Sequence, residues 1–221
     1  NLAFNVALHV GTLLSIGLVY RHELRTLLAR PHLLFAIVIA TGPIVVVGLL
    51  LHDVLERAFG SPLVAGMALC VTASLLAITR WTDGGGTELA DISWWQALVV
   101  GLFQAVAPIP GISRSGVTIF AGLLSGMSRQ AAATFSFLIA IPTILGAATL
   151  ETWDLVREGN LSSAAWGTYG LGAAVAFAVG VLALKLLIRV VTARKLHLFA
   201  WYCLAVGLLA ISASVMGSPA G

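Results

Sequence analysis

Long apolar blocks, each close to twenty residues, alternate along this chain with short polar breaks. A helix that crosses a bilayer needs roughly 20 mainly apolar residues. Blocks at 2–20, 33–51, 62–80, 131–150, 165–188 and 197–216 have that length and are predicted to be spanning helices. The block at 93–127 is different. Its middle reads PIPGISRSGVT at 108–118, where Pro108, Pro110, Gly111 and Gly116 interrupt any helix. Each limb is then short for a full crossing. Non-helical backbone at membrane depth is tolerated only where it is buried in protein or lines a wet cavity. The pattern therefore predicts a re-entrant hairpin with its tip inside the membrane.

Composition strengthens this reading. Of 221 residues, 59% are hydrophobic and 10% charged, and the mean hydropathy is +1.02. An ordinary soluble domain carries about 25% charged residues. The expected fold class is an all-α polytopic membrane protein forming a single integral membrane domain over 1–221. The net charge of +3 is spread among loops, with no basic run interleaved with aromatics, which excludes a nucleic-acid footprint. Cys70 and Cys203 lie in apolar stretches and read as small core residues. The chain starts at Asn1, already in apolar helical sequence, without the basic start and cleavage site of a signal peptide.

Lysine and arginine in short loops set orientation. Arg21, Arg25 and Arg30 follow the first span, and Lys185, Arg189, Arg194 and Lys195 precede the last, so both segments are expected on the cytoplasmic side. The loop with Arg80, Asp83, Glu88 and Asp91, and Arg129, fall on the same side. The loops around Asp53, Glu56 and Arg57, and around Glu151, Asp154, Arg157 and Glu158, then face outward. Both ends of the hairpin are cytoplasmic, and its tip points toward the outer face.

An internal repeat is also expected. Phe4 aligns with Phe135, Thr12 with Thr143, Gly48 with Gly180 and Cys70 with Cys203, at a nearly constant offset. The equivalent loops lie on opposite faces, which makes the repeat inverted, an arrangement that places sites at the repeat interface. Residues 1–82 would be the end of the first unit and 93–216 the second. The hairpin of the second unit precedes Phe135, so its counterpart would precede Phe4, upstream of Asn1, in roughly 40–50 further residues.

The chemistry concentrates at Arg114. An arginine in the membrane zone is costly and marks a functional site by default. Its planar fork pairs bidentately with phosphate oxygens. Ser113, Ser115 and Thr118 bring hydroxyls, Gly111 and Gly116 allow close backbone approach, and a half-helix starting near Ser113 would aim free N–H groups at an anion. Together they describe a phosphate or diphosphate cradle. The plainer reading is an arginine snorkelling to an interface from an ordinary loop. Gln104 could face the cradle or bond a neighbouring helix. His9 fits a helix–helix contact, and His52 and His197 are interfacial. Pro142 could kink its helix toward the site. Asp83, Glu88 and Asp91 have no metal-ligand spacing and read as a solvated loop.

GLFQAVAPIPGISRSGVTIFAGLL at 101–124, followed by SRQAAATFSFLIAIPTILGA, closely resembles the second signature of undecaprenyl-diphosphate phosphatases of the bacitracin-resistance type. NVALHVGTLLSIGLVYR, PIVVVGLLL and ISWWQAL resemble that family's intervening segments, so the likeness covers essentially the whole chain. It implies hydrolysis of undecaprenyl diphosphate to undecaprenyl phosphate and inorganic phosphate at the outer face of the bacterial inner membrane. That reaction recycles the cell-wall lipid carrier and confers bacitracin resistance. The partners implied are a polyprenyl diphosphate lipid and the membrane, and a homodimer is compatible with them. The resemblance matches Arg114 to the family's signature arginine, expected on the diphosphate, and Ser113, Ser115 and Thr118 to its flanking hydroxyls. Arg114 and Ser113 are the expected catalytic residues, and Gly111, Ser115, Gly116, Thr118 and Gln104 the expected substrate-binding residues. It implies a divalent cation, magnesium or calcium, whose ligands belong to the family's other signature of two glutamates and a PISSTGH-like segment. That signature is absent from these residues and is expected upstream. A transporter of lipid phosphates or small molecules is the competing reading. On this view the 221-residue chain alone releases no phosphate from lipid diphosphate, whereas the longer protein does, and phosphate release by the purified chain would overturn it.

Overall fold

The computed structural model describes residues 2–157 and 166–216. Glu158, the first residue of the 165–188 block and the side chain of His52 lie outside the described residues. The described chain is all α. Five helices are long and apolar enough to cross a membrane: α1 (Leu2–Val19), α3 (Pro31–Leu50), the pair α8 (Arg129–Leu138) with α9 (Ala140–Arg157), α10 (Trp166–Thr192) and α11 (Leu198–Met216). The sixth expected span is α5 (Pro62–Ile78), one residue shorter than α1, which follows α4 (His52–Phe59) at a bend of 94°. The protein is a multi-pass membrane protein.

Several expected loops are helical. Arg21 and Arg25 lie on α2 (Arg21–Leu28), and Asp53, Glu56 and Arg57 lie on α4. Glu151, Asp154 and Arg157 extend α9, and Lys185 and Arg189 lie within α10. No proline or glycine interrupts these charged stretches, and local contacts support the helix. His9 Nδ1 lies 3.3 Å from Glu151 Oε2. The Arg157 guanidinium sits 5.0 Å from the centre of the Trp153 ring, one turn away. Pro142 has a clear consequence. It cannot donate to the carbonyl of Leu138, the residue four before it, and α8 stops at Leu138.

Between α5 and α8 lie two short helices, α6 (Trp94–Gln104) and α7 (Arg114–Leu124). Each has 11 residues, about 16 Å at 1.5 Å per residue, or half of a hydrocarbon core about 30 Å thick. They pack side by side, with Phe103 and Phe120 ring centres 5.8 Å apart. Their root ends, away from the tip, are tied together. Gln96 on α6 donates from Nε2 to the carbonyl of Ser125, just past α7, at 2.9 Å. The segment 85–87 pairs with 126–128: Gly85 N–H donates to Met127, Thr87 N–H to Gly126, and Ser128 N–H to Thr87. The chain enters and leaves this hairpin at one end of the molecule, which is the re-entrant geometry that the prolines and glycines predict.

Other basic segments gather at that same root end. Arg194 pairs with Asp83. His32, just past α2, reaches the carbonyl of Ala90 at 2.6 Å. Arg129 donates to the carbonyls of Thr79 and Thr82 at 3.2 and 2.7 Å, closing the C-terminus of α5. Helix α4 and the end of α9 lie at the far end of the neighbouring helices.

The broken tip, 105–113, is held by α5 and α3. Thr72 donates its hydroxyl to the carbonyl of Gly111 at 3.0 Å and accepts from the N–H of Ser113 at 3.1 Å. Gly111 has φ +95°, and a Cβ there would stand 2.2 Å from the carbonyl oxygen of Ala65. On the α6 limb, Gly101 lies against Ala40 so closely that a Cβ would meet its carbonyl oxygen at 2.8 Å. Behind the hairpin, α8 is buried from Ala131 to Leu138, with the hydroxyls of Thr134 and Ser136 among the buried groups. Phe137 on α8 stacks on Tyr20 at 5.7 Å.

Thr72→Val keeps the shape but orphans a carbonyl and an N–H in a dry place, and is expected to cost about 1–3 kcal/mol. Thr72→Ser should recover most of the loss. Gly111→Ala should cost at least as much, because it combines a clash with a left-handed backbone. Thermal unfolding in a fixed detergent checks all three, and a Thr72→Val protein as stable as wild type would contradict the clamp.

Candidate functional site

The site is built on the start of α7. Ser113 is its N-cap: extended backbone puts the side-chain oxygen where it accepts the N–H of Gly116 at 3.2 Å. The first N–H groups of a helix have no acceptor inside it. Ser113 takes that of Gly116, which leaves those of Arg114 and Ser115 at the helix mouth. The peptide dipoles of α7 add a partial positive charge at the same point.

Arg114 is the first residue of α7 and is half-buried. Its Nη1 is buried and has no hydrogen-bond partner. A buried guanidinium nitrogen without an acceptor is expensive, and an anion with oxygens to offer would remove that cost. Ser115 is half-buried beside it and makes no side-chain hydrogen bond to another described residue. Gly116 is needed for closeness: a Cβ there would meet Ser113 Oγ at 3.0 Å and Leu76 at 3.3 Å.

Two expected site residues have turned away. Thr118 is buried, donates to the carbonyl of Arg114 at 2.8 Å, and lies 2.6 Å from the hydroxyl of Ser136 on α8. It fastens α7 to α8 behind the arginine instead of lining the cradle. Gln104 is fully buried, and its Nε2 donates to the carbonyl of Ala40 on α3 at 3.1 Å. Its second reading, a bond to a neighbouring helix, describes this contact. Gly111 stays in the cradle as its backbone hinge. The structure therefore brings together Gly111, Ser113, Arg114, Ser115 and Gly116. Thr72 and Ser136 support them and were not singled out from the sequence. The one signal for Thr72 was a hydroxyl in the otherwise apolar stretch 62–73.

The cradle offers hydroxyls, backbone N–H groups and a cation. This set suits an anion and does not fit a divalent metal, which needs anionic or carbonyl oxygen ligands. Among the described residues no three His, Cys, Asp or Glu side chains gather where they could hold a metal. Asp83, Glu88 and Asp91 sit at the root end, away from the tip.

Comparisons with known proteins place the chain in a family. One protein family, described as bacitracin resistance protein BacA, matches residues 1–209. The chain is similar to the undecaprenyl-diphosphatase of Rhodopirellula baltica, with 42% identity over 96% of this chain and 82% of the relative. It is similar to the undecaprenyl-diphosphatase of Desulforapulum autotrophicum, with 35% identity over 96% of this chain and 84% of the relative. It is also similar to undecaprenyl-diphosphatase 3 of Acinetobacter baylyi, with 37% identity over 94% of this chain and 81% of the relative. The match runs from α1 through the broken hairpin and into α11, and the protein belongs to the bacitracin resistance protein BacA family.

Proposed function

We infer that this protein is a phosphatase that hydrolyses undecaprenyl diphosphate to undecaprenyl phosphate and inorganic phosphate. Family membership supports the reaction. The observation that carries it on this chain is the buried, unpartnered Nη1 of Arg114 at the mouth of α7. A diphosphate supplies the acceptor that nitrogen lacks.

The mechanism follows from the geometry of charge. Phosphoryl transfer spreads negative charge over the transferred group and the leaving oxygen. Fixed donors aimed at that charge lower the barrier, most of all where water is excluded. Arg114 holds phosphate oxygens with its fork, the N–H groups of Arg114 and Ser115 meet others, and the α7 dipole points the same way. The Ser115 hydroxyl is free to donate to an oxygen. Ser113 holds the start of α7 in place through Gly116 and keeps its hydroxyl hydrogen for a ligand. Thr118 and Ser136 keep the helix from rotating as the charge moves. A divalent cation belongs to the proposal only with ligands other than the cradle, and no step is assigned to it here.

We place the site toward the outer face of the bacterial inner membrane. The support is the gathering of Arg21, Arg25, Arg129, Arg194 and Lys195 on segments at the root end, opposite the tip, which the positive-inside rule assigns to the cytoplasm. Release of undecaprenyl phosphate there returns the lipid carrier to cell-wall synthesis and removes the diphosphate lipid that bacitracin targets.

In protein made from its complete coding sequence, Arg114→Ala should lower kcat/KM for undecaprenyl diphosphate by about 10²–10³. Arg114→Lys should fall between, because a point charge replaces the fork. Ser115→Ala should cost less than either. Phosphate release in mixed micelles measures all of these. Wild-type activity in Arg114→Ala would remove the assignment, and lipid movement across vesicles without phosphate release would favour a transporter.

A further inference from the structure

Helices α5 and α11 are pressed together at two glycines. A Cβ on Gly66 would stand 2.9 Å from the carbonyl oxygen of Gly207, and one on Gly207 would stand 2.9 Å from that of Gly66. Closer to the root end the same two helices present Ala73, Ala77 and Ala200, whose side chains are too short to fill the space between them. A cleft of about 240 Å³ is left there, with Ser74 and Leu204 also on its walls. The Ser74 hydroxyl donates to the carbonyl of Cys70 at 3.0 Å, so its hydrogen is already taken. The inside of the cleft is apolar.

Its mouth carries a basic side chain from each wall. Arg80 stands just past α5 and His197 just before α11, and both line the cleft. Arg80 is exposed, and its guanidinium makes no ion pair or hydrogen bond with another described residue. His197 turns Nδ1 to the carbonyl of Arg194 at 3.0 Å, which leaves Nε2 without a partner among the described residues. Asp83 matches the charge of Arg194 but not that of Lys195 beside it. The mouth is therefore positive. Trp81 and Trp201 flank it, 73% and 72% exposed. Tryptophan collects at the level of lipid head groups, so the two rings set the mouth at the membrane interface. It lies at the root end, which the positive-inside rule assigns to the cytoplasm.

We propose that this cleft binds one anionic phospholipid of the cytoplasmic leaflet, its phosphodiester between Arg80 and His197 and the start of an acyl chain against the alanines. Basic pockets between helices on that side suit anionic head groups. The two halves of the cleft choose the occupant. A soluble anion has no use for the apolar walls, and a neutral lipid leaves the mouth unmatched. A two-fold dimer over this face would set a second Arg80 and Lys195 against the first pair. The site is at the opposite end of the hairpin from Arg114 and does not depend on the phosphatase reading. The bound lipid bridges α5 and α11 where no glycine contact holds them together.

The test uses protein made from its complete coding sequence in one detergent. Short-chain phosphatidylglycerol or phosphatidylcholine of equal chain length is titrated in while thermal unfolding is followed. Phosphatidylglycerol should stabilise wild type at lower concentration than phosphatidylcholine. Arg80→Ala should raise the phosphatidylglycerol concentration required by about fivefold, and Arg80→Glu by more, with the phosphatidylcholine response unchanged. Arg80 is exposed, so neither variant removes a packing contact. Equal responses of wild type to the two lipids, or a phosphatidylglycerol response unchanged in Arg80→Glu, would overturn the site. Equal stabilisation by glycerol phosphate would make it a site for a soluble anion and overturn the lipid. A lipid-independent dimer in the same detergent, lost on Ala200→Trp, would give the cleft to a second copy of the chain. A last measurement needs no variant. Phosphatidylglycerol carrying a diazirine near its head group should label residues 73–81 or 197–204 of wild type, and labelling confined to other segments would overturn the proposal.

Discussion

A chain can stop being helical inside hydrocarbon only if something other than water satisfies the N–H and C=O groups that the break sets free. At residues 105–113 short turns supply part of it, with the N–H groups of Ala107, Ile109 and Ile112 on the carbonyls of Gln104, Val106 and Ile109, and one hydroxyl ties the break to α5. Thr72 takes the carbonyl of Gly111 and the N–H of Ser113 together, and Gly111 lets the tip press against Ala65 without a side chain between them. The rest of the site depends on this clamp. It fixes where α7 begins, and so where Ser113 caps and where the mouth of the helix opens.

Once α7 starts there, Arg114 is half-buried at its mouth. Its root is the first residue of the helix, its neighbours are α5 and α8, and one guanidinium nitrogen ends buried without an acceptor. Thr118 and Ser136 close the back of this arrangement. The result is a preorganised donor set in a low-dielectric place, which is where fixed charge acts most strongly on developing phosphate charge.

Much of this was legible in the sequence. Pro108, Pro110 and Gly111 cannot continue a helix, and an arginine beside them in an apolar block has few explanations other than an anion. Block length counted the spans, because hydrocarbon thickness leaves little freedom. Three things were not legible. The charged stretches 21–28, 52–59 and 151–157 were read as loops, since polarity resembles a break when amphipathic pairing across helices is unseen. The motif puts Thr118 near the cradle and spacing puts Gln104 there, although neither says which neighbour a side chain faces. Thr72 was passed over, because its partner lies 39 residues away.

The sequence by itself determined an all-α membrane protein, the spans, the broken hairpin and the arginine that gives it chemistry. Those follow from local rules: apolar length, helix breakers and the cost of charge in lipid. Only the tertiary structure decided which hydroxyls support the site and which line it, and that one guanidinium nitrogen of Arg114 is left without an acceptor. Those depend on which helix packs beside which, and packing between apolar helices in a bilayer is set by small-residue contacts and single hydrogen bonds that leave little trace in any one stretch of sequence.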